Sequence, residues 1–149
     1  MDEAEFVLRL SQLVNNIEFV KREWNELDRK RSIASKQIGT LSSSDSSYNA
    51  KKELISVLDS EIQKQKEILK ELIECKNAYM STGIIHPKYV EIVAINTICE
   101  YFETYRIESL KGIHGAYNLY ESEMRQNVII SKLDDILASL DEIKNIQYR

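Results

Sequence analysis

The sequence predicts an all-α fold: an antiparallel coiled-coil hairpin plus a second helical hairpin, forming an elongated four-helix bundle. Three observations predict it. Apolar residues recur at alternating spacings of three and four over long stretches, the signature of helices with one buried stripe. The 149 residues include one Pro and four Gly, so few turns are encoded. Charged residues make up 30% of the chain with both signs interspersed, a composition of long helices rather than sheets. The length suits a single domain spanning residues 1–149.

The first helix is expected over about residues 2–39, some 57 Å if all of it is helical. Phe6, Leu10, Leu13, Ile17, Val20, Trp24, Leu27, Arg31, Ala34 and Ile38 keep an unbroken 3,4 spacing. This is a heptad seam of about four repeats. Arg31 is its one charged position. Its guanidinium either snorkels at the helix flank or marks register against an acidic partner. "GTLSSSDSSYN", residues 39–49, is rich in Gly, Ser and Asp and has no periodicity, so it reads as a loop. Ser46 or Ser47 is the expected N-cap of the next helix.

The second helix, about 49–80, repeats the theme. Ile55, Leu58, Ile62, Gln65, Leu69 and Leu72 occupy the seam, Lys76 and Tyr79 continue it, and Ile68 and Cys75 widen it. Two heptad helices joined by a loop of about ten residues fold back on each other, giving a hairpin over residues 1–80. At "STGIIHPKY" the composition changes. Gly83 suits a helix C-terminal cap, and Pro87 suits a first helical turn while holding His86 extended. A third helix is expected over about 87–110. It is apolar almost all round, as for a buried central element. "KGIHG", with Gly112 and Gly115, then makes a tight turn at 111–115 into a fourth helix over about 115–147. Together these form the second hairpin, 81–149. Leu133, Ile136, Leu140 and Ile143 return to 3,4 spacing in an amphipathic tail. That tail suits self-pairing or partner binding, and packing on the first hairpin fits it equally.

Charge and composition bound the function. The net charge of −4 argues against nucleic acid, whose binding depends on neutralising phosphates. The five bases between Lys21 and Arg31 are interleaved with Glu23, Glu26 and Asp28, so they read as a solvated face. Cys75 and Cys99 fall in partly apolar helical patterns and are expected to be buried free thiols. No apolar run approaches the ~18–20 residues of a membrane span, and the acidic N-terminus lacks the basic region of a signal peptide. The expected location is the cytoplasm.

Residues 79–120 hold six of the eight tyrosines, both histidines and the only proline. This block is chemically richer than the helices that flank it. Tyr101 and Tyr105 are expected near Tyr117 and Tyr120 across the turn. Arg106 and Arg125 can pair with Glu121 or Glu123, or stack on the tyrosines. The six residues Tyr101, Tyr105, Arg106, Tyr117, Tyr120 and Arg125 are either the packing of a corner or a protein-docking site, since Tyr and Arg dominate interface hot spots.

"IIHPKYVEIVAINTICEYFETYR", "LKGIHGAYNLYESEMR" and "IISKLDDILASLDEIKNIQY" together resemble the C-terminal half of a group of uncharacterised bacterial helical proteins, in which a variable coiled-coil half precedes a similar block. The resemblance covers about residues 84–148. It implies helices and a bacterial or phage origin, and it carries no activity or site residues.

Catalytic chemistry finds little support in the residues. A di-iron bundle needs inward Glu and Glu-x-x-His motifs, and neither His86 nor His114 has a Glu three residues before it. There is no Gly-rich phosphate loop. Nothing in the sequence places a histidine beside a thiol. No catalytic, cofactor-binding or metal-ligating residue is therefore assigned. The expected function is a non-enzymatic scaffold or adaptor working through helix–helix contacts, with an unknown protein partner and self-association into a dimer or larger homo-oligomer. Two alternatives stand beside it. One is a small helical enzyme or metal-binding bundle, which requires buried carboxylates around Glu100, Glu103, Glu121 or Glu123. The other is a helical secretion substrate or phage-encoded effector, for which Tyr117–Glu121 supplies a short Tyr-x-x-x-Glu pattern.

Overall fold

A computed structural model describes residues 1–147 of the chain. They form helices α1 (Glu3–Ile38), α2 (Ser46–Ser81), α3 (Ile92–Glu103) and α4 (Ala116–Gln147), with a 3-10 turn at Pro87–Tyr89. Among the described residues there is no strand, so the fold is all-α. Among them, too, no helix is long and apolar enough to cross a membrane. The chain divides into two compact units: one spans Leu8–Ile92, the other combines Met1–Val7 with the chain from Val93 onward.

The first unit is built on the α1–α2 hairpin. The start of α1 is fixed by Asp2, whose carboxylate accepts the Glu5 N–H at 2.8 Å, and Glu3 and Glu5 place negative charge at the positive end of the helix. Along α1 the seam positions Leu10, Ile17, Val20 and Ala34 are buried, as are Leu58, Ile62 and Leu69 along α2. Ile17, Val20 and Leu69 form one apolar cluster, with Trp24 and Leu72 packed against it. Lys66 lies over the Trp24 ring, 5.3 Å from its centre, and Arg31 donates from Nε to Asp59. The residue numbers in both contacts add to 90, so the two helices run antiparallel in one register between them. Arg31 therefore marks register, and its acidic partner is Asp59 in the facing helix. Both side chains are about half exposed, so the pair selects alignment more than it stabilises the fold.

Three expectations for this unit are corrected. Ile68 and Cys75 do not widen the seam: both are exposed. Of the two thiols, only Cys99 is buried. The N-cap of α2 is Asp45 rather than Ser46 or Ser47. Its carboxylate accepts the Ser47 N–H at 2.9 Å, and an ionised acceptor outcompetes a hydroxyl at a helix start. The other end follows the sequence reading. Gly83 has φ +70° just past α2, and His86 is extended before Pro87. His86 also caps the 3-10 turn, with Nδ1 accepting the Lys88 N–H at 3.1 Å.

In the second unit the helix boundaries differ from expectation. The helix expected over 87–110 is a 3-10 turn at Pro87–Tyr89 and a separate α3 that stops at Glu103. The tight turn at 111–115 becomes a longer connection over 104–115. Nor is α3 buried all round. Ala94, Ile95, Ile98, Cys99 and Tyr101 face inward, while Val93 on the opposite side is 60% exposed. Phe6, Val7, Ile107, Leu110 and Ala116 complete the buried set, so the first turns of α1 belong to the core of this unit.

Candidate functional site

The corner between α3 and α4 carries most of the residues singled out from the sequence. The end of α3 has an unusual cap. The Arg106 N–H reaches back to the Tyr101 carbonyl at 2.9 Å and the Tyr105 N–H to the Phe102 carbonyl at 3.2 Å. These two bonds define a Schellman ending, which needs a left-handed residue at its penultimate position. That residue is ordinarily glycine, but here it is Tyr105, with φ +57°. A left-handed backbone costs an L-residue roughly 1–2 kcal/mol. The cap compensates elsewhere: where such endings usually make an apolar contact, the Arg106 guanidinium stacks 4.9 Å from the centre of the Tyr101 ring.

Tyr101 and Arg106 converge on one carboxylate of α4. The Tyr101 hydroxyl donates to Glu123 Oε2, and Arg106 Nη2 donates to Glu123 Oε1 at 2.5 Å. Tyr101 is 2% exposed, and its burial, reinforced by the adjacent carboxylate, pushes its phenol well above the usual range. The hydrogen bond from Tyr101, followed by that from Arg106, holds Glu123 below the ordinary carboxylate value. The cluster ties the end of α3 to the second turn of α4.

The connection between them is folded by the main chain. The Ala116 N–H donates to the Ser109 carbonyl at 2.9 Å and the Tyr117 N–H to the Leu110 carbonyl at 3.1 Å, so backbone oxygens cap α4 where a side chain usually does. Glu3, from the first turn of α1, accepts the Leu110 N–H at 3.1 Å and pins this loop. Gly112 turns the chain with φ +96°, and Gly115 sits where a Cβ would lie 2.3 Å from the Lys111 oxygen. The glycines of "KGIHG" thus do turn the corner, in the last part of a longer path.

Two open clefts flank the corner, of about 400 and 430 Å³, sharing Arg106, Ile107, His114 and Gly115 in their walls. Neither is lined by Glu100, Glu103, Glu121 or Glu123. Among the described residues, no group of three or more His, Cys, Asp or Glu side chains is placed to hold a metal ion.

No family model matches this chain, and no curated protein or solved structure is significantly similar to it. The site must therefore be read from its own geometry.

The six sequence-selected residues separate into three groups. Tyr101 and Arg106 are brought together and joined to Glu123. Tyr117 and Tyr120 are half-buried on the first turns of α4, with Tyr120 near enough to Tyr101 to add to the rise in its pKa. Tyr105 and Arg125 face solvent. Tyr105 is 92% exposed, and Arg125 donates from Nε to the Glu121 carbonyl of its own helix at 3.3 Å. The Arg106–Glu123 pairing and the stacking on tyrosine were both legible from residue types. The Tyr101–Glu123 bond and the Glu3 contact were not, because neither has a local sequence signal.

An exposed aromatic residue held at a glycine position opposes local stability. Tyr105→Gly is expected to stabilise the protein by about 1 kcal/mol, the left-handed strain removed less the added freedom of the unfolded chain. Urea unfolding followed by circular dichroism checks this, and destabilisation by the glycine variant would show that Tyr105 contributes packing.

Proposed function

We propose that this chain is a non-enzymatic scaffold or adaptor of the cytoplasm. In this reading α4 is its helix–helix contact, the Tyr105 corner is its partner site, and the α1–α2 hairpin acts as a coiled-coil stalk. The observation that carries the reading is the exposed C-terminal part of α4. Every residue from Met124 to Asn145 is exposed, including the heptad positions Leu133, Ile136, Leu140 and Ile143. A helix with a long apolar stripe in water lacks the tertiary packing that ordinarily supplies most helical stability. Such a stripe marks an interaction surface.

Tyr105 supports the second part of the reading. A solvent-facing tyrosine stands in a left-handed position that glycine fills without strain, and strain of this kind concentrates at functional positions. Arg106 beside it is oriented by Glu123, so the pair presents an aromatic face and a fixed cation. Both are residue types that dominate hot spots.

The test is affinity capture from the native host with wild type and Tyr105→Ala, read by mass spectrometry after both are shown to be equally helical. A single stoichiometric partner retained by wild type and lost with the variant is the expected result. Equal recovery of the same proteins by both forms would overturn Tyr105 as the docking residue.

A further inference from the structure

From the pattern on α4 we infer that the apolar stripe of residues 129–143 is covered by further copies of this chain, in a parallel bundle of at least three strands. The inference rests on the reading of α4 as a helix–helix contact and specifies its partner. Three columns make up the stripe. Leu133 and Leu140 form the centre, Ile129, Ile136 and Ile143 one side, and Ile130 and Leu137 the other. All seven side chains are more than half exposed, from 52% at Ile143 to 59% at Leu137.

The width of the stripe sets the number of strands. The spacing from Ile129 to Leu133 and on to Ile136 places isoleucine at heptad position d and leucine at a. Leucine at a with isoleucine at d favours trimers and tetramers over dimers, because of how each side chain enters the facing helix. The third column, Ile130 and Leu137, falls at position e. A two-stranded coil normally carries charge there and leaves it at the water boundary. In a bundle of three or more strands the same column turns into the interface.

Charge sets the direction. Beyond the isoleucine column lie Arg125 and Lys132 at position g. Beyond the Ile130 and Leu137 column lie Asp134 and Asp141 at position b. The stripe therefore has a basic flank carried by Lys132, with Arg125 one turn ahead of it, and an acidic flank carried by Asp134 and Asp141, while Lys144 closes the apolar column at position e. Parallel neighbours in a ring set the basic flank of each helix against the acidic flank of the next. Antiparallel neighbours set like flanks together, which costs rather than contributes.

The test uses the full chain. Sedimentation equilibrium of wild type is expected to give three or more times the 17.3 kDa of one chain. Leu133→Asn with Leu140→Asn is expected to reduce it to a single chain while the Tyr101–Glu123 corner, read by tyrosine fluorescence and near-UV circular dichroism, is unchanged. Direction is read with Gln126→Cys, which stands at position a on the near end of the stripe. Parallel strands bring these cysteines together, so disulfide-linked chains should form well above the level given by Cys75 in wild type. A wild-type monomer would overturn the inference. A dimer abolished by the double variant would overturn the strand number. A larger oligomer indifferent to the double variant would overturn the stripe as its interface. Absence of disulfide linkage in an assembled Gln126→Cys protein would overturn the parallel direction. The affinity capture with Tyr105→Ala reads a separate surface, so either proposal can fail while the other stands.

Discussion

Gly115→Ala is expected to destabilise the protein by about 3 kcal/mol or more, by far the largest effect of any glycine substitution in the chain. The added Cβ would lie 2.3 Å from the Lys111 oxygen, 2.6 Å from the Lys111 carbonyl carbon and 2.8 Å from the Leu110 oxygen. All three are main-chain atoms, so no side-chain rotation relieves the contact. The Leu110 carbonyl is also the acceptor for the Tyr117 N–H, and the Gly115 N–H itself donates to Gly112. Moving the backbone therefore breaks the cap of α4 as well. The unfolded-state benefit of Gly→Ala, about 0.4–1 kcal/mol, is too small to offset this. Two other glycines serve as controls. Gly112 has φ +96° but open space for a Cβ, so Gly112→Ala should cost only the conformational strain of about 1–2 kcal/mol. Gly39 would meet only an ordinary contact, 3.4 Å from the Lys36 oxygen, and Gly39→Ala should be close to neutral. The ranking, measured as urea midpoints, is the decisive quantity. A Gly115→Ala variant no less stable than Gly112→Ala would show that the corner is not built as described.

That ranking was hidden from the sequence, although both glycines of the corner stood out in it. What local pattern can specify was legible. Helices α1 and α2 each bury one stripe along their length, and a 3,4 repeat records that burial directly in Leu10, Ile17, Val20, Leu58, Ile62 and Leu69. Gly83 and Pro87 act through backbone geometry that belongs to the residue itself, so they too could be read. The end of α3 could not be read, because the position that punctuates it is occupied by Tyr105 and no glycine or proline lies between Pro87 and Gly112. Apolar residues continue past it through Ile107 and Leu110, which are buried by the connecting loop rather than by a helix. Periodicity cannot separate those two causes of burial. The candidate site divides in the same way. Residue types announced a tyrosine and arginine cluster, and the Arg106 pairing followed from charge. Which tyrosine is core and which faces water depends on the left-handed turn at Tyr105. That turn sends Tyr101 and Tyr105, four residues apart, into opposite environments.

Glu123→Ala is expected to cost about 1–3 kcal/mol, because it leaves a buried phenol without its acceptor, whereas the exposed Arg106 regains water. The comparison that gives this number meaning is Glu26 with Arg29, an ion pair of equally short distance, 2.5 Å, on the exposed face of α1. Its loss should be close to neutral, since both partners regain water. The difference lies in Tyr101, whose side chain has no water to return to. Tyr101→Phe in the Glu123→Ala background should therefore recover much of the lost stability, as the orphaned hydroxyl disappears together with its acceptor. The pH dependence gives an independent check with a fixed sign. Glu123 is held below its ordinary value of 4.5, so its contribution is complete above that value and fades as pH falls through the lower, folded-state value. Tyr101 is held above its ordinary value of 10.0, so its contribution is complete below that value and fades as pH rises toward the folded-state value. The gap in stability between wild type and Glu123→Ala should then be flat across the neutral range and shrink toward both extremes. A gap that persists unchanged at pH 3 would mean that the carboxylate's charge contributes nothing, and that Glu123 anchors α3 to α4 by packing alone.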